Sequence, residues 1–270
     1  MFTKLLAYEI RSRFRADARS FGAFIVTIAV ASGIVAAGLP GISGSTAVLS
    51  YALCALTPVA CAIAAMADYW KTLYGQRGYF TMSLPVSGAV IFWAKIARMV
   101  IECLLALALA VGGIIAVASA AAWSDGISLA EYTAGPRSVA AGLPTSTVVI
   151  MIVAQVIVSL SWLVQGSAVM SIGAEGRFNH MGFGAPVIGF VLLYIVNQVL
   201  STVGTFFVPL SVTTDGHFSA EIMWTSYQAT LGTDGHPNVI GIGTYVLVPL
   251  FALIMGLWAS RSIEKHTSLR

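Results

Sequence analysis

The chain contains stretches too long and too apolar to fold in water. No Asp, Glu, Lys or Arg occurs between Arg19 and Asp68, Glu102 and Asp125, Arg137 and Glu175, Arg177 and Asp215, or Asp234 and Arg261. A helix rising about 1.5 Å per residue crosses a hydrocarbon core of about 30 Å in about 20 residues, so each stretch accommodates at least one crossing. Only 9 % of the 270 residues are charged and 58 % are hydrophobic, too few charges to cover a water-facing surface. The pattern specifies an all-α polytopic membrane protein.

The 48 residues from Ser20 to Ala67 exceed one span, and the run GLPGISGS at 38–45 supplies turn chemistry in their middle. The spacing predicts six transmembrane helices near 21–39, 46–67, 92–122, 146–170, 183–210 and 239–260. A helix over 92–122 is longer than the bilayer is thick. Its first turns, with Lys95, Arg98 and Glu102, are therefore expected to project into the cytoplasm as a helix stem, Arg98 and Glu102 pairing at i,i+4, with a buried charge relay as the other reading. Before the first run, Phe2, Leu6, Ile10 and Phe14 recur every four residues while Lys4, Arg11, Arg15 and Arg19 fall on other faces. Residues 1–20 are expected to form an amphipathic helix lying at the headgroups, followed by an uncleaved anchor rather than a signal peptide.

Charge asymmetry predicts the orientation. With an even number of spans and the N-terminus inside, Lys4, Arg11, Arg13, Arg15, Arg19, Lys71, Arg77, Lys95, Arg98, Arg177, Arg261, Lys265 and Arg270 are all cytoplasmic, and only Arg137 lies outside. Asp125, Glu131, Asp215, Glu221 and Asp234 occupy the external loops. Cationic residues near span ends are retained in the cytoplasm, so both termini, including a tail over 261–270, are expected there. Nothing in this charge pattern supports nucleic-acid binding.

The chemistry-bearing motifs are few. None of the four lysines follows a glycine, so no phosphate-binding loop is present and the chain carries no ATPase motif of its own. No HExxH, no GxSxG and no paired carboxylates within a span occur, so no catalytic residue is assigned and the chain is not expected to be an enzyme. Cys54, Cys61 and Cys103 lie in apolar runs without metal-ligand spacing and are expected as small packing residues. Gln155, Gln165, Asn197 and Gln198 are the amide side chains within spans; they are candidates for a polar substrate path, although interhelical amide hydrogen bonding accounts for them as well. In the external loop 211–238, Thr214-Asp215-Gly216-His217 recurs as Thr233-Asp234-Gly235-His236. Two Asp and two His could hold a divalent ion, but Asp-Gly pairs are turn formers, and no metal site is assigned. Between these repeats FSAEIMWTSYQATL is long enough for a short helix or re-entrant element at the membrane face, where Trp and Tyr are favoured.

One polar interruption stands apart. Residues 68–87 read DYWKTLYGQRGYFTMSLPVS, followed by Lys95. This arrangement resembles the type-2 ABC exporter permease family, whose members show an aromatic-basic stretch, Leu-(Tyr/Phe)-Gly, Gly-Tyr-(Leu/Phe)-Thr, Leu-Pro-(Val/Thr)-Ser and then a Lys between the second and third spans. The resemblance covers the chain in topology and about 30 residues in detail. It implies a permease subunit that pairs with a second permease, identical or homologous, and docks two cytoplasmic ATP-binding-cassette ATPase subunits, which would bind the ATP and Mg; this chain would hold no cofactor. It further implies a coupling segment over 68–87, with contacts from Tyr69, Trp70, Lys71, Leu73, Tyr74, Arg77, Tyr79 and Phe80. Aromatic anchors and rim cations suit such a surface, and Gly75, Gly78, Pro85 and Ser87 suit its turns. Ser87-Gly88-Ala89 departs from many relatives, where a basic residue or two follows the Ser. Glu175, Arg177 and His180, in the loop 173–182 with Asn179, form a candidate second contact. The implied activity is ATP-driven export of an amphipathic substrate such as a peptide, lipid or drug, at a cell membrane of the bacterial inner-membrane type. A membrane scaffold or assembly subunit is the alternative, with a secondary carrier or channel behind it.

Overall fold

The computed structural model describes residues 1–265 except 76, 77, 84, 183 and 232–234; the side chains of 79, 80, 139, 140 and 179 are also outside the description. The chain is an all-α multi-pass membrane protein. Among the described residues, six helices are long and apolar enough to cross a bilayer. They are α1 (Phe2–Ala36), α2 (Ile42–Leu73), α4 (Gly88–Ser124), α7 (Thr145–Gly173), α8 (Gly184–Phe207) and α10 (Thr244–Lys265), with short helices α3 (Gly78–Met82), α5 (Leu129–Tyr132), α6 (Ala134–Ala141) and α9 (Met223–Thr230) between them.

The sequence-derived spans locate all six, and the helices overrun them at most ends. Residues 1–20, expected as a separate interfacial element, are continuous with the first apolar run in one 35-residue helix. No Gly or Pro interrupts 2–21, so nothing in the chain breaks the helix there. The polar segment 68–87 begins as the last turn and a half of α2 rather than as a loop. At the other end of the chain, 239–241 is a strand instead of the start of the last span, and 261–265 continue that span's helix.

The chain divides into two compact units. The first comprises Met1–Thr72 and Trp93–Ser138. In its core Ile28 and Val35 of α1 meet Ala47 and Cys54 of α2 and Ala110, Val117 and Ala121 of α4. The α4 residues recur at spacings of four and seven, one helical face, and they are small. This lets backbones approach: a Cβ on Gly113 would lie 2.7 Å from Cys54 Sγ and 3.4 Å from Phe24 Cζ. The expected packing role of Cys54 is seen here directly.

The second unit comprises Leu73–Phe92 and Val139–Arg270. Helix α10 buries Val248, Ala252, Met255, Gly256, Ala259, Ser260, Ser262 and Ile263, a continuous i,i+3/i+4 stripe, and α7 buries Gln165 through Ser171. Close approaches again depend on glycine. A Cβ on Gly173 would meet Pro186 N at 2.8 Å, and one on Gly204 would meet Thr244 N at 2.6 Å.

A small antiparallel sheet, unforeseen in the sequence, lies between α8 and α10 in chain order. Its strands are β1 (Ser211–Thr213), β2 (Phe218–Ser219) and β3 (Val239–Gly241), in spatial order β2-β1-β3. Val212 pairs with Phe218 on one side and Ile240 on the other. The first Thr-Asp-Gly-His run is the hairpin turn: Gly216 adopts φ +81, its N–H donates to Thr213 O, and Thr147 Oγ1 donates to its carbonyl at 2.6 Å. Thr233 and Asp234 of the second run fall outside the described residues, as do Gln76, Arg77 and Leu84 of the polar segment. Between the runs the expected short helix is α9, whose Trp224 and Tyr227 pack with Phe206 and Phe207 at ring centroid distances of 5.6–6.3 Å.

Candidate functional site

The structure alters most the reading of the charged residues around the polar segment. Lys95, Arg98 and Glu102, expected as a cytoplasmic helix stem, are buried, with Arg98 only 1 % exposed. They are the centre of an ion network within the first unit. Lys95 Nζ donates to Glu9 Oε1 at 2.8 Å and to Thr72 Oγ1 at 3.0 Å. Arg98 donates to Glu102 and, at 3.1 Å, to Asp68 Oδ2, with Glu9 Oε2 3.7 Å from its Nε. Arg13 donates to Asp68 Oδ1 at 2.9 Å and lies 3.6 Å from Asp17.

The correction has a physical reason. Three cations and four carboxylates drawn from three helices offset one another's charge, which permits burial that an isolated charge would forbid, although Nε of Arg13 and of Arg98 make no hydrogen bond among the described residues. On α1 the pattern is visible in retrospect: Glu9, Arg13 and Asp17 form an i,i+4 ladder. That ladder faces inward, while Ile10 and Phe14 of the apolar stripe are exposed. Against lipid the apolar face turns outward and the polar face inward, opposite to the arrangement of a helix on a globular core. The stripe is legible in the sequence and the role of Glu9 is not, because its partner Lys95 lies 86 residues away.

The end of α2 carries both this network and half of the expected docking residues. Asp68 and Thr72, four apart, face the network. Ala65, Tyr69 and Leu73, also four apart, are fully buried. Tyr69 and Leu73 are therefore packing residues of this chain and cannot supply a docking surface, which corrects their assignment. Trp70 and Tyr74 are half-buried and Lys71 is exposed. Arg77 and the side chains of Tyr79 and Phe80 lie outside the described residues; the backbone of 79 and 80 is helical, in α3.

The second candidate contact is a 3-10 helix over Gly176–Met181. Glu175 is buried and forms an ion pair with Arg177, Oε2 to Nε 2.7 Å, while the Arg177 side chain stays 60 % exposed and lies over the Phe178 ring, 4.7 Å from its centroid. His180 is exposed, and the side chain of Asn179 is outside the description.

The four polar-path candidates fall in three places. Gln165 Nε2 donates to Val248 O at 3.1 Å, and Asn197 Nδ2 donates to Gln165 Oε1 at 2.7 Å, so these two amides join α7, α8 and α10 in the buried interior of the second unit. Gln155 Oε1 accepts from Tyr245 OH at 3.1 Å, and Gln198 is exposed on the apolar flank of α8. Interhelical bonding, the other reading of these residues, is what the geometry displays for Gln155, Gln165 and Asn197. Among the described residues no three His, Cys, Asp or Glu side chains converge as metal ligands.

The class defined by this architecture is a helical multi-pass membrane protein with a buried ion network at one end of one unit and amide bonding within the other. Compared with protein-family models, with curated proteins and with solved structures, the chain matches none.

Proposed function

We propose that the chain is the membrane-spanning permease subunit of an ATP-driven exporter, with both termini cytoplasmic and ATP hydrolysed by a separate ATP-binding-cassette subunit. The observation that carries this reading is the polar aromatic-basic segment 68–87 between the second and third spans, in a chain with no phosphate-binding loop. The fold adds a physical rationale. Asp68 and Thr72, at the start of that segment, are tied to Arg98 and Lys95 and through them to Glu9. A partner pressing on the segment would therefore move α1, α2 and α4 together rather than bend one loop, as a lever-driven transition between inward and outward states requires.

In this reading the docking surface is formed by Trp70, Lys71, Tyr74, Arg77, Tyr79 and Phe80. Two permeases and two ATPases assemble in a cell membrane of the bacterial inner-membrane type, and an amphipathic substrate passes between the permeases. The test is co-purification of a cassette ATPase with the full chain. The Tyr74→Ala, Arg77→Ala double variant should insert normally and lose the ATPase; undiminished co-purification overturns the docking assignment. A chain that brings down no ATPase under any condition favours the scaffold role.

A further inference from the structure

The second unit contains an apolar cavity of about 390 Å³ between α7, the 3-10 helix, α8 and α10. Val169, Gly173, Phe178, Ile188, Leu192 and Trp258 are among its walls. The volume lies in the range of ligand sites, roughly 300–1,000 Å³. Its lining is almost wholly hydrocarbon, which excludes a polar solute. Ile188, Leu192 and Trp258 are also about half exposed, and they lie on helices long and apolar enough to span a bilayer, so the cavity opens on the apolar flank of these helices.

Charge marks one end of it. Arg177 lies over the Phe178 ring that forms part of the wall, and its side chain stays exposed although its Nε pairs with Glu175 Oε2 at 2.7 Å. A guanidinium carries five N–H donors, so several remain for a second anion. On α10, Arg261 and Lys265 follow Trp258 at i+3 and i+7, the same helical face, and both are exposed. Ser262 Oγ donates to Ser171 O at 3.3 Å, which places this end of α10 beside the end of α7 where the 3-10 helix begins. A hydrocarbon cavity open to lipid with cations at one end complements one molecular class.

We propose that this cavity is a binding site for one anionic phospholipid, an acyl chain occupying the cavity and the phosphate held by Arg177 with help from Arg261 and Lys265. The site lies within the second unit and does not depend on the transport reading. Arg177 confers the headgroup preference through charge-assisted hydrogen bonds, and the apolar walls confer retention.

Native mass spectrometry of the full chain, released from detergent and titrated with phosphatidylglycerol or phosphatidylcholine of identical acyl chains, tests it. One phosphatidylglycerol should be retained with at least about fivefold preference over phosphatidylcholine, the effect expected of one cation near a headgroup. Arg177→Gln should abolish most of that preference while zwitterionic lipid still binds. Ile188→Trp, which fills the opening, should remove the tight site for both lipids. Leu253→Trp, on a lipid-facing position of α10 outside the cavity, should leave binding unchanged and controls for general damage to the fold. Equal retention of the two lipids by the native chain, or undiminished retention by Ile188→Trp, overturns the proposal and reduces the site to ordinary surrounding lipid.

Discussion

The two units of this protein solve the same problem in different ways. Each must hold helices together where lipid is as apolar as the side chains and burial alone gives little drive to associate. In the first unit, one end of the helices is joined by charges: Glu9, Lys95, Arg98 and Glu102 are buried together with the partly buried Asp68 at their edge, and the same helices share a small-residue core around Cys54 and Gly113. The second unit uses glycine approaches at Gly173 and Gly204 and a pair of amides, Gln165 and Asn197, and it leaves a cavity. A charge network is stable only while complete, whereas contacts between small surfaces fail one at a time. The first unit should therefore be brittle to single polar deletions and the second tolerant of them.

The largest effect is expected at Arg98. Arg98→Leu leaves the buried Glu102 carboxylate without its partner, while Asp68 keeps only Arg13, and removing one member of a buried pair destabilises by about 3–5 kcal/mol. Thermal unfolding of the detergent-solubilised chain should show the loss. A combined Arg98→Leu, Glu102→Leu variant should recover part of it, and a double variant no better than the single would break the network interpretation.

Overpacking the second unit comes next. Gly204→Leu forces a side chain where even a Cβ would lie 2.6 Å from Thr244 N, and overpacking costs typically about 1–3 kcal/mol. Unchanged stability in the same assay would show that α8 and α10 can separate locally, and the contrast between the units would weaken.

Gln165→Leu should cost less, about 0.6–1.7 kcal/mol, the range of hydrogen bonds between membrane helices. An effect as large as that of Arg98→Leu would show that the second unit also depends on a buried polar centre. The smallest effect is expected at Arg177→Gln, which keeps a polar side chain beside the buried Glu175 at an otherwise exposed position and removes only the charge, at a cost of about 0–1 kcal/mol. Stability should barely move, which separates the structural role of this residue from its proposed headgroup contact.

Legibility differed between fold and site for reasons traceable to particular residues. The six spans follow from charge-free runs, because desolvation of a charge dominates every local preference in hydrocarbon. The pair Arg98 and Glu102 was readable because i,i+4 neighbours meet on any helix. That both were buried was not, since burial depends on Glu9 and Asp68 arriving from two other helices. Tyr69 and Leu73 were misplaced for a related reason: the aromatic-basic composition of 68–87 describes a surface, but α2 runs on to Leu73 and turns those two residues inward with Ala65. The hairpin at Gly216 was readable as a turn, while the strands around it are too short to carry an alternating pattern.

By itself, the sequence determined that this chain lives in a bilayer, how many times its helices can cross and where its one aromatic-basic interruption falls. These are consequences of transfer energies summed along the chain, which need no knowledge of neighbours. Only the tertiary structure decided which face of α1 turns inward, which charges are solvated and which are locked together, and where a cavity remains. Those outcomes depend on groups up to 86 residues apart meeting at about 3 Å, and no local term in the chain encodes that meeting.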